Sequence, residues 1–371
     1  MPAYSRRTLL GGSVALAAFA AVGRLPGARA VRAQSGAAYE IVDFGAMTDG
    51  ALPVGYARAI FGDVNGITND GTVFGRIAVS EEKLSPALWD TNGKLKRLKS
   101  GKYGGNIRAV NAGGDAVGSL YETIGGVGED SFNLQQQPAA WIGGELIELP
   151  APDPEYASTE RAGEAVGISD DGVIVGRANG YPLRWVNGEP QILPTPESGG
   201  MDIAACNASG VIAARQYDFG GSEAVYTVGR IEGDQFSAVD IPAEFENPSP
   251  VAISDSGILL ARGFPADVWL GVVADGNEVT PIDFRDSGGS FQPIAVNDAA
   301  EVIGGWQPYP GVVFEPAIWR GEEPVTLSSL IPADSGLSSL GVTGINNDGV
   351  ICGSAYDADH ARHLILFVPA E

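Results

Sequence analysis

Seven related copies of one short segment run along the chain. Each copy has an apolar run, a polar four-residue turn that mostly ends in Gly, and a second apolar run that closes on a small residue. The copy at 168–176 reads ISDDGVIVG, and the copy at 345–353 reads INNDGVICG. A repeated unit must bury its apolar faces against its neighbours, so the repeat predicts a repeat architecture before any other feature is considered.

The polar turns share a first position that is always Asn, Ser or Thr, whose side chain can hold the turn by bonding the backbone. They lie at 68–71, 111–114, 169–172, 207–210, 254–257, 297–300 and 346–349. Gly at the fourth position suits the left-handed conformation that ends such a hairpin turn. Ala300 stands at this position in the sixth copy and is predicted to be strained if its backbone follows the others.

Two further strands are predicted after each hairpin. The third ends on an aromatic residue in most units, clearly at Trp89, Trp141, Trp185 and Trp319, and in weaker versions at Tyr226 and Phe367. The fifth unit is irregular around Trp269. A turn such as Asn92-Gly93 comes next, and Asn-Gly is a strong hairpin signal. The fourth strand is predicted at 145–149 in the second unit and at 191–193 in the third.

Four short antiparallel strands per unit, with a mean spacing of about 46 residues, predict an all-β fold of the β-propeller type. The last unit stops after its third strand, whereas residues 39–44 form an unattached strand near the N-terminus. Pairing these two segments would close the ring and remove an open sheet edge. We therefore predict seven four-stranded blades closed by the N-terminal strand and the last blade. Six or eight blades and a linear β-solenoid are the alternatives.

Residues 1–30 have the features of an export signal. Arg6 and Arg7 form a twin-arginine pattern, an Ala-rich apolar stretch follows at 11–22, and residues 28–30 read ARA, an A-x-A-like cleavage site. A second such site ends at Ala33. We predict a twin-arginine signal peptide over 1–30, either cleaved or retained, and one propeller domain over 31–371. The expected location is the periplasm, the cell envelope or the extracellular space.

The mature chain is strongly acidic. Removing residues 1–30 takes away four arginines and no acid, which leaves 19 basic and 46 acidic residues and a net charge of about −27. This balance argues against nucleic-acid binding, which needs a basic face. No segment of the mature chain has the about 20 consecutive apolar residues of a membrane span. Solubility outside the cell is the preferred interpretation of the charge, and attraction of Ca²⁺ is the alternative; no other cofactor is expected.

Cys206 and Cys352 are the only cysteines, and they lie in units three apart. One precedes its turn and the other follows a different turn. A disulfide needs the two Cα atoms within about 7 Å. We therefore predict two buried free thiols.

The repeat resembles the HAF-repeat family of exported bacterial proteins, whose units read roughly G-I-N-x-x-G-x-V-V-G, then H-A-F-x-W-x-x-G. Segments 344–353 and 167–176 match the first half well, and the resemblance covers nearly all of 64–371. In the second half the family's His survives only as His363, with Ser85, Gln137, Tyr181, Ser222 and Glu315 in its place elsewhere. The resemblance implies export and a repeat β architecture, and it implies no particular reaction.

Few residues carry recognisable chemistry. His360 and His363 are the only histidines, and with Asp357 and Asp359 nearby they are candidate metal ligands. His363 also matches a repeat position, which marks it as part of the scaffold. With two histidines and no G-x-S-x-G elbow, a Ser-His-Asp hydrolase is not indicated.

Binding residues are expected in irregular loops on one face of the ring, at 120–137, 152–164 and 306–314. Trp306 and Tyr309 could stack on a sugar or a Pro-rich peptide, and Tyr121 in the longest insertion is a further candidate. Ordinary loop packing is the alternative interpretation of these aromatic residues.

The sequence thus predicts an exported non-catalytic binding or scaffold module with a loop-borne site for a carbohydrate, peptide or protein partner. The alternative is a propeller hydrolase or lyase acting on an extracellular polymer, which would place acidic residues near the central channel. A cofactor or electron-transfer protein is suggested only by the export signal, because no C-x-x-C-H motif or cysteine cluster accompanies it.

Overall fold

The computed structural model describes residues 29–31, 39–47, 62–80, 83–122, 135–152, 163–221, 224–331 and 335–370. These residues form seven antiparallel sheets of four strands, with one additional edge strand in the last sheet. The predicted signal up to residue 28 and the centres of two predicted loops, 123–134 and 153–162, lie outside the described residues. The predicted all-β propeller with seven blades is confirmed.

Within each blade the chain runs from the central channel outwards. The inner strands are Asp63–Ile67, Gly104–Val110, Gly163–Ile168, Gly199–Cys206, Ser249–Ile253, Ser290–Val296 and Ser338–Ile345. The second strands are Val73–Ser80, Ala116–Glu122, Ile174–Ala178, Ile212–Asp218, Leu259–Gly263, Val302–Gln307 and Ile351–Tyr356. The third strands are Lys83–Trp89, Gln135–Ile142, Tyr181–Val186, Val225–Glu232, Leu270–Asp275, Glu315–Trp319 and Arg362–Pro369. We number the blades 1 to 7 in this order.

The outer strands are short, and their side chains are mostly exposed. In blades 1 to 6 they are Leu95–Arg97, Glu145–Glu148, Glu189–Ile192, Gln235–Ala238, Glu278–Ile282 and Val325–Thr326. Three single-turn 3₁₀ helices at Pro265–Asp267, Arg285–Ser287 and Ser328–Leu330 lie in connections. Each inner strand contacts the next, and the seventh contacts the first, so the blades close into a ring.

The outer strand of blade 7 comes from the N-terminus. Tyr39–Ala46 pairs antiparallel with Arg362–Pro369, with Ile41 opposite Phe367, so the predicted closure is confirmed. The tyrosine ring of Tyr39 is buried and meets the Phe367 ring edge-on at 6.4 Å. The edge strand Arg29–Val31 pairs with the same N-terminal strand and spans the predicted cleavage site at Ala30.

The hydrophobic core lies between neighbouring blades. Trp141 of blade 2 is 1% exposed and packs among apolar residues of blade 1, including Phe74 and Leu88. The indole N–H of Trp141 donates to the backbone carbonyl of Lys99 in the preceding blade at 2.6 Å. The equivalent Trp185 donates to the Pro150 carbonyl at 2.7 Å. The aromatic end of the third strand therefore joins one blade to the previous one.

The prediction that Tyr226 is the corresponding aromatic residue of the fourth unit is wrong. The strand register places Trp141 opposite Ala116 and, at the equivalent position of blade 4, Ile231 opposite Ile212. Tyr226 pairs with Tyr217, nearer the other end of the sheet. In blade 5 the position is taken by Ala274. An aliphatic residue can fill this interblade site, so aromatic character alone does not locate it.

The strained turn and the free state of both thiols are confirmed, whereas the predicted burial holds for Cys352 and not for Cys206, which is partly exposed. Ala300 has φ 58°, the left-handed conformation that Gly adopts at the same position in the other turns. Cys206 and Cys352 are free. Burial raises the pKa of each thiol to about 12. Among the described residues, no helix has the length and apolar character needed to cross a membrane.

Candidate functional site

The central channel has two chemically different ends. We call the end with the turns between inner and second strands the turn face, and the opposite end the loop face. Because the strands are antiparallel, inner strands begin and second strands end at the loop face. The predicted binding loops at 120–137, 152–164 and 306–314 all leave from the loop face. The two ends are built from different positions of the same repeat.

All seven inner strands contain a β-bulge at the same repeat position, three residues before the turn. The extra residue in a bulge has no partner in the next strand, and a bulge re-aims its side chain. These residues line a channel cavity of about 640 Å³ and are Asn65, Arg108, Val166, Ala204, Val251, Ile294 and Thr343. They are polar in blades 1, 2 and 7 and apolar in the other four. The channel wall therefore has a polar side and an apolar side.

At the turn face, the first residue of every hairpin turn holds its own turn, as predicted. Its side-chain oxygen accepts the backbone N–H four residues on in all seven blades. In blades 2, 4, 6 and 7 this residue is Asn, and its amide also donates to the carbonyl at the same position of the next blade. These four donors are Asn111, Asn207, Asn297 and Asn346, at 3.1 to 3.3 Å. Ser and Thr have no amide, which explains why the other blades lack this interblade bond.

The second turn residue adds further bonds between blades. Its carboxylate or amide oxygen accepts a backbone N–H from the neighbouring turn, as Asp170 does from Ala112 at 2.9 Å and Asp255 from Ala208 at 3.0 Å. The Asn69 amide also donates to Asp255 on the far side of the channel, at 2.6 Å. The polar side chains of the turn face are thus largely bonded to one another. We call this set of bonds the turn belt.

At the loop face, a different repeat position carries arginine. The residue at the end of the second strand, eight positions after the first turn residue, is Arg in blades 1, 3, 4 and 5: Arg76, Arg177, Arg215 and Arg262. The residues directly opposite on the inner strand are Asp63, Glu164, Asp202 and Ser249. The repeat therefore places cation–anion pairs across two strands, with an unmatched arginine in blade 5.

Two of these arginines are paired, and two are not. Arg76 bonds Asp63 at 2.9 Å, and Arg215 bonds Asp202 at 2.5 Å. Glu164 lies opposite Arg177 but pairs instead with Arg108 from the neighbouring inner strand, at 3.3 Å. Within the described part of the chain, Arg177 and Arg262 form no ion pair with a carboxylate.

The unpaired arginines line one cavity of about 560 Å³ at the loop face of blades 2 to 5. Its charged residues are Arg108, Arg177, Arg262, Glu164 and Asp202. Its apolar lining comes mainly from Val166, Pro182, Met201, Ile203, Pro250 and Val251. A concave site of a few hundred Å³ where polar groups converge beside apolar side chains is a candidate site for small-molecule binding. We call it the arginine cavity.

Arg262 is held in place by aromatic packing. Its guanidinium lies 5.0 Å from the centre of the Trp269 ring, which in turn packs on Phe264 at 4.5 Å. The backbone N–H of Trp269 donates to the Ser290 hydroxyl at 2.9 Å. Burial lowers the pKa of the Arg262 guanidinium from its ordinary value, and no carboxylate offsets this effect. The arginine stays charged at neutral pH because its ordinary pKa is far above 7.

The predicted ligand-binding aromatic residues lie in different environments on the loop face. Trp306 is 5% exposed, and its ring meets Phe284 edge-on at 4.8 Å. Tyr121 is 8% exposed, and its ring covers the backbone of Gly104. Tyr309 is 60% exposed. None of the three lines the arginine cavity, and they lie on blades 2 and 6 rather than in one site.

Three of the predicted metal ligands lie in the turn between the second and third strands of blade 7, and His363 lies at the start of the third strand. His363 Nδ1 lies 3.0 Å from Asp43 of the closing strand, and Nε2 lies 3.1 Å from Asp357. The Asp43 hydrogen bond, together with Asp357, raises the pKa of His363. Both ring nitrogens are therefore engaged with carboxylates of the protein. His360 and Asp359 are exposed, and no three potential ligands among the described residues converge on a metal-sized site.

Comparison with known proteins gives fold relatives. Neither protein-family models nor curated proteins match the chain. Among solved structures, a puromycin-hydrolysing peptidase of Mycobacterium tuberculosis aligns over 85% of this chain and 52% of its own, with TM-score 0.55 and 12% identity. A puromycin hydrolase aligns over 84% and 52%, with TM-score 0.54 and 12% identity. A virginiamycin B lyase from Staphylococcus aureus aligns over 83% and 96%, with TM-score 0.47 and 12% identity. The chain spans about half the length of the two hydrolases, and identity this low shows the propeller fold alone.

Sequence reasoning did not identify the arginine cavity. The signal for it is present, because aligning the seven repeats puts four arginines in one column. That column has acidic residues opposite it in blades 1, 3 and 4 but Ser249 in blade 5. The diversion of Glu164 to Arg108 depends on the distance between neighbouring blades, which the repeat alignment does not contain.

Proposed function

We propose that this chain is an exported, non-catalytic binding module whose ligand site is the arginine cavity on the loop face. The observation that carries the proposal is the pair of unmatched arginines, Arg177 and Arg262, in one cavity of an acidic protein. Arg177 is exposed, whereas Arg262 is half-buried, and a half-buried guanidinium without a partner gives up hydration for little in return. Such an arrangement is favourable when a ligand supplies the missing acceptors.

The reactive groups of the described residues support binding rather than turnover. His363 is held between two carboxylates, and both thiols have a pKa of about 12, which leaves no ready nucleophile. The turn belt bonds its own polar groups to one another. A rigid ring with a pre-formed cavity is well suited to holding a ligand at small entropic cost.

A hydrolase or lyase acting on an extracellular polymer is the second candidate. It is favoured by Glu164 and Asp202, two carboxylates that line the same cavity. Paired carboxylates can serve as general acid and base. Both are engaged with arginines in this structure, which favours a structural role for them.

The site can be tested by thermal unfolding of the exported protein against sugars, cell-wall fragments, Ca²⁺ and a chelator. A ligand at about 100 times its Kd adds about 2.7 kcal/mol of stability, which shifts Tm by a few degrees. The shift should disappear in Arg177→Ala and persist in Arg285→Ala. Arg285 is the matched control because it lies in a connection on the same face, outside the cavity, in an ion pair with Asp283.

The outcomes separate the candidates. A shift that Arg177→Ala abolishes supports the cavity as the binding site, and an unchanged compound after long incubation supports a binding module. If the compound is converted and Glu164→Gln abolishes that conversion, the second candidate, an enzyme, is supported instead. A shift that persists in Arg177→Ala, as it does in the control Arg285→Ala, would indicate a site outside the arginine cavity.

Export is part of the proposal and has its own test. Arg6→Lys with Arg7→Lys should block the twin-arginine route and leave the protein in the cytoplasm, while the unaltered chain is found in the cell envelope fraction or outside. A protein that is exported equally well with both substitutions would contradict the predicted signal.

A further inference from the structure

We infer that the ligand of the arginine cavity is a small organic acid, bound through its carboxylate. This inference rests on the proposed function and adds the chemical class of the ligand. It starts from the charges that line the cavity and from the partners that those charges already have.

The charge balance of the cavity limits the ligand. Three arginines and two carboxylates line it. Glu164 is paired with Arg108, and Asp202 is paired with Arg215, which lies outside the lining. The positive charge that is left free belongs to Arg177 and Arg262. A neutral ligand would leave both guanidinium groups without acceptors.

The free guanidinium groups favour a carboxylate as the anion. A carboxylate accepts two parallel hydrogen bonds from one planar guanidinium fork. A phosphate monoester carries about −1.5 to −2 at pH 7, and its additional charge would lie close to the carboxylates of Glu164 and Asp202.

Arg262 is the principal partner in this inference. Its guanidinium lies over the Trp269 ring, and this contact restricts the side chain before the ligand binds, which lowers the entropy lost on binding. Its partial burial strengthens an ion pair relative to one in open solvent. The apolar wall formed by residues such as Val166, Met201 and Val251 would cover the carbon skeleton of the acid.

The experiment measures binding of matched charged and neutral probes to the full exported protein by calorimetry at low salt. The probes are glucuronate with glucose, phenylacetate with phenylacetamide, and inorganic phosphate as an anion without a carbon skeleton. We expect at least one acid to bind at least tenfold more tightly than its neutral partner, and its affinity to fall as salt is added.

Three variants locate the effect. Arg262→Ala should lower the affinity of the acid at least tenfold, and Arg262→Lys should recover part of it because the charge remains while the fork and the stacking are lost. Arg285→Ala should bind like the wild type. The Tm of each variant without ligand reports its folding, and Arg177→Ala repeats the test should Arg262→Ala fold poorly.

The outcomes distinguish this inference from the proposed function. Equal binding of an acid and its neutral partner, with loss in Arg262→Ala, would overturn the acid specificity and leave the cavity as the site. Binding of phosphate without binding of either acid would also overturn it. Failure of every probe at millimolar concentration would overturn the inference, and the broader ligand panel would then decide the proposed function.

Discussion

The two ends of the channel are made from the same repeat and have opposite polar chemistry. At the turn face, the amide of Asn207 and the carboxylate of Asp255 bond neighbouring blades, so polar groups satisfy one another. At the loop face, Arg177 and Arg262 have no anion partner among the described residues. The difference teaches that one end of the ring is built to hold the blades together and the other keeps polar capacity free for a ligand.

The largest expected effect is at the turn face. Asn207 is 4% exposed, donates to the Ser254 carbonyl at 3.1 Å and accepts the Val211 N–H at 2.9 Å. Asn207→Ala removes both bonds and leaves buried groups unsatisfied, which should cost about 2–3 kcal/mol in the free energy of unfolding, measured with urea.

Asn207→Ser is the control that sharpens this comparison. Ser keeps the bond within the turn, as Ser169 and Ser254 do in blades 3 and 5, and loses only the bond between blades. It should therefore cost about 1 kcal/mol. A serine variant as stable as the wild type would show that the interblade bond contributes nothing, and one as unstable as the alanine variant would show that the bond within the turn contributes nothing.

The second effect concerns a loop-face charge cluster that is satisfied, unlike the arginine cavity. His363 is 17% exposed in its side chain and bonds Asp43 of the closing strand. Asp43→Asn should lower the free energy of unfolding by about 1–2 kcal/mol near pH 5.5, since a hydrogen bond to a charged group is lost. Urea unfolding across a pH series measures this difference.

The pH dependence follows from two shifts. The pKa of His363 is raised above 6.5, so its contribution is complete below pH 6.5 and is lost as pH rises through the raised value. The pKa of Asp357 is lowered from 3.8, with hydrogen bonds from the Ala361 and Asp359 N–H groups and His363 outweighing burial. Its contribution is present above pH 3.8 and is lost as pH falls through the lowered value. The difference between wild type and Asp43→Asn should thus be largest between pH 3.8 and pH 6.5 and shrink as the pH rises through the raised pKa of His363. Asp359→Asn, in the same turn, should show no such trend.

The smallest effect removes strain from the turn face. Ala300 has φ 58°, a conformation that costs an L-residue about 1 kcal/mol relative to Gly. Ala300→Gly should therefore raise the free energy of unfolding by roughly 1 kcal/mol. Ala299→Gly changes the neighbouring residue, whose φ is not positive, and should not stabilise the protein. Equal effects of the two would contradict the strain explanation.

Much of the fold could be predicted because the repeat is local. The alternation of apolar residues and the polar turns specify each hairpin from a few neighbouring residues, and the unattached N-terminal strand indicates how the ring closes. The fourth unit shows the limit of this approach. Tyr226 looked like the aromatic end of its third strand, but the register gives that position to Ile231, because packing between blades accepts an aliphatic residue there.

The sequence by itself determined the seven-fold repeat, the turn residues, the strained Ala300 and the absence of an evident catalytic motif, since all of these depend on residues close together in the chain. Only the tertiary structure decided which polar groups are satisfied. Asn207 reaches the next blade, Glu164 turns from Arg177 to Arg108, and His363 meets Asp43 from 320 residues away. The physical reason is that a hydrogen bond or an ion pair depends on distances of about 3–4 Å between groups. Those distances are set by how neighbouring blades pack, which no single repeat contains.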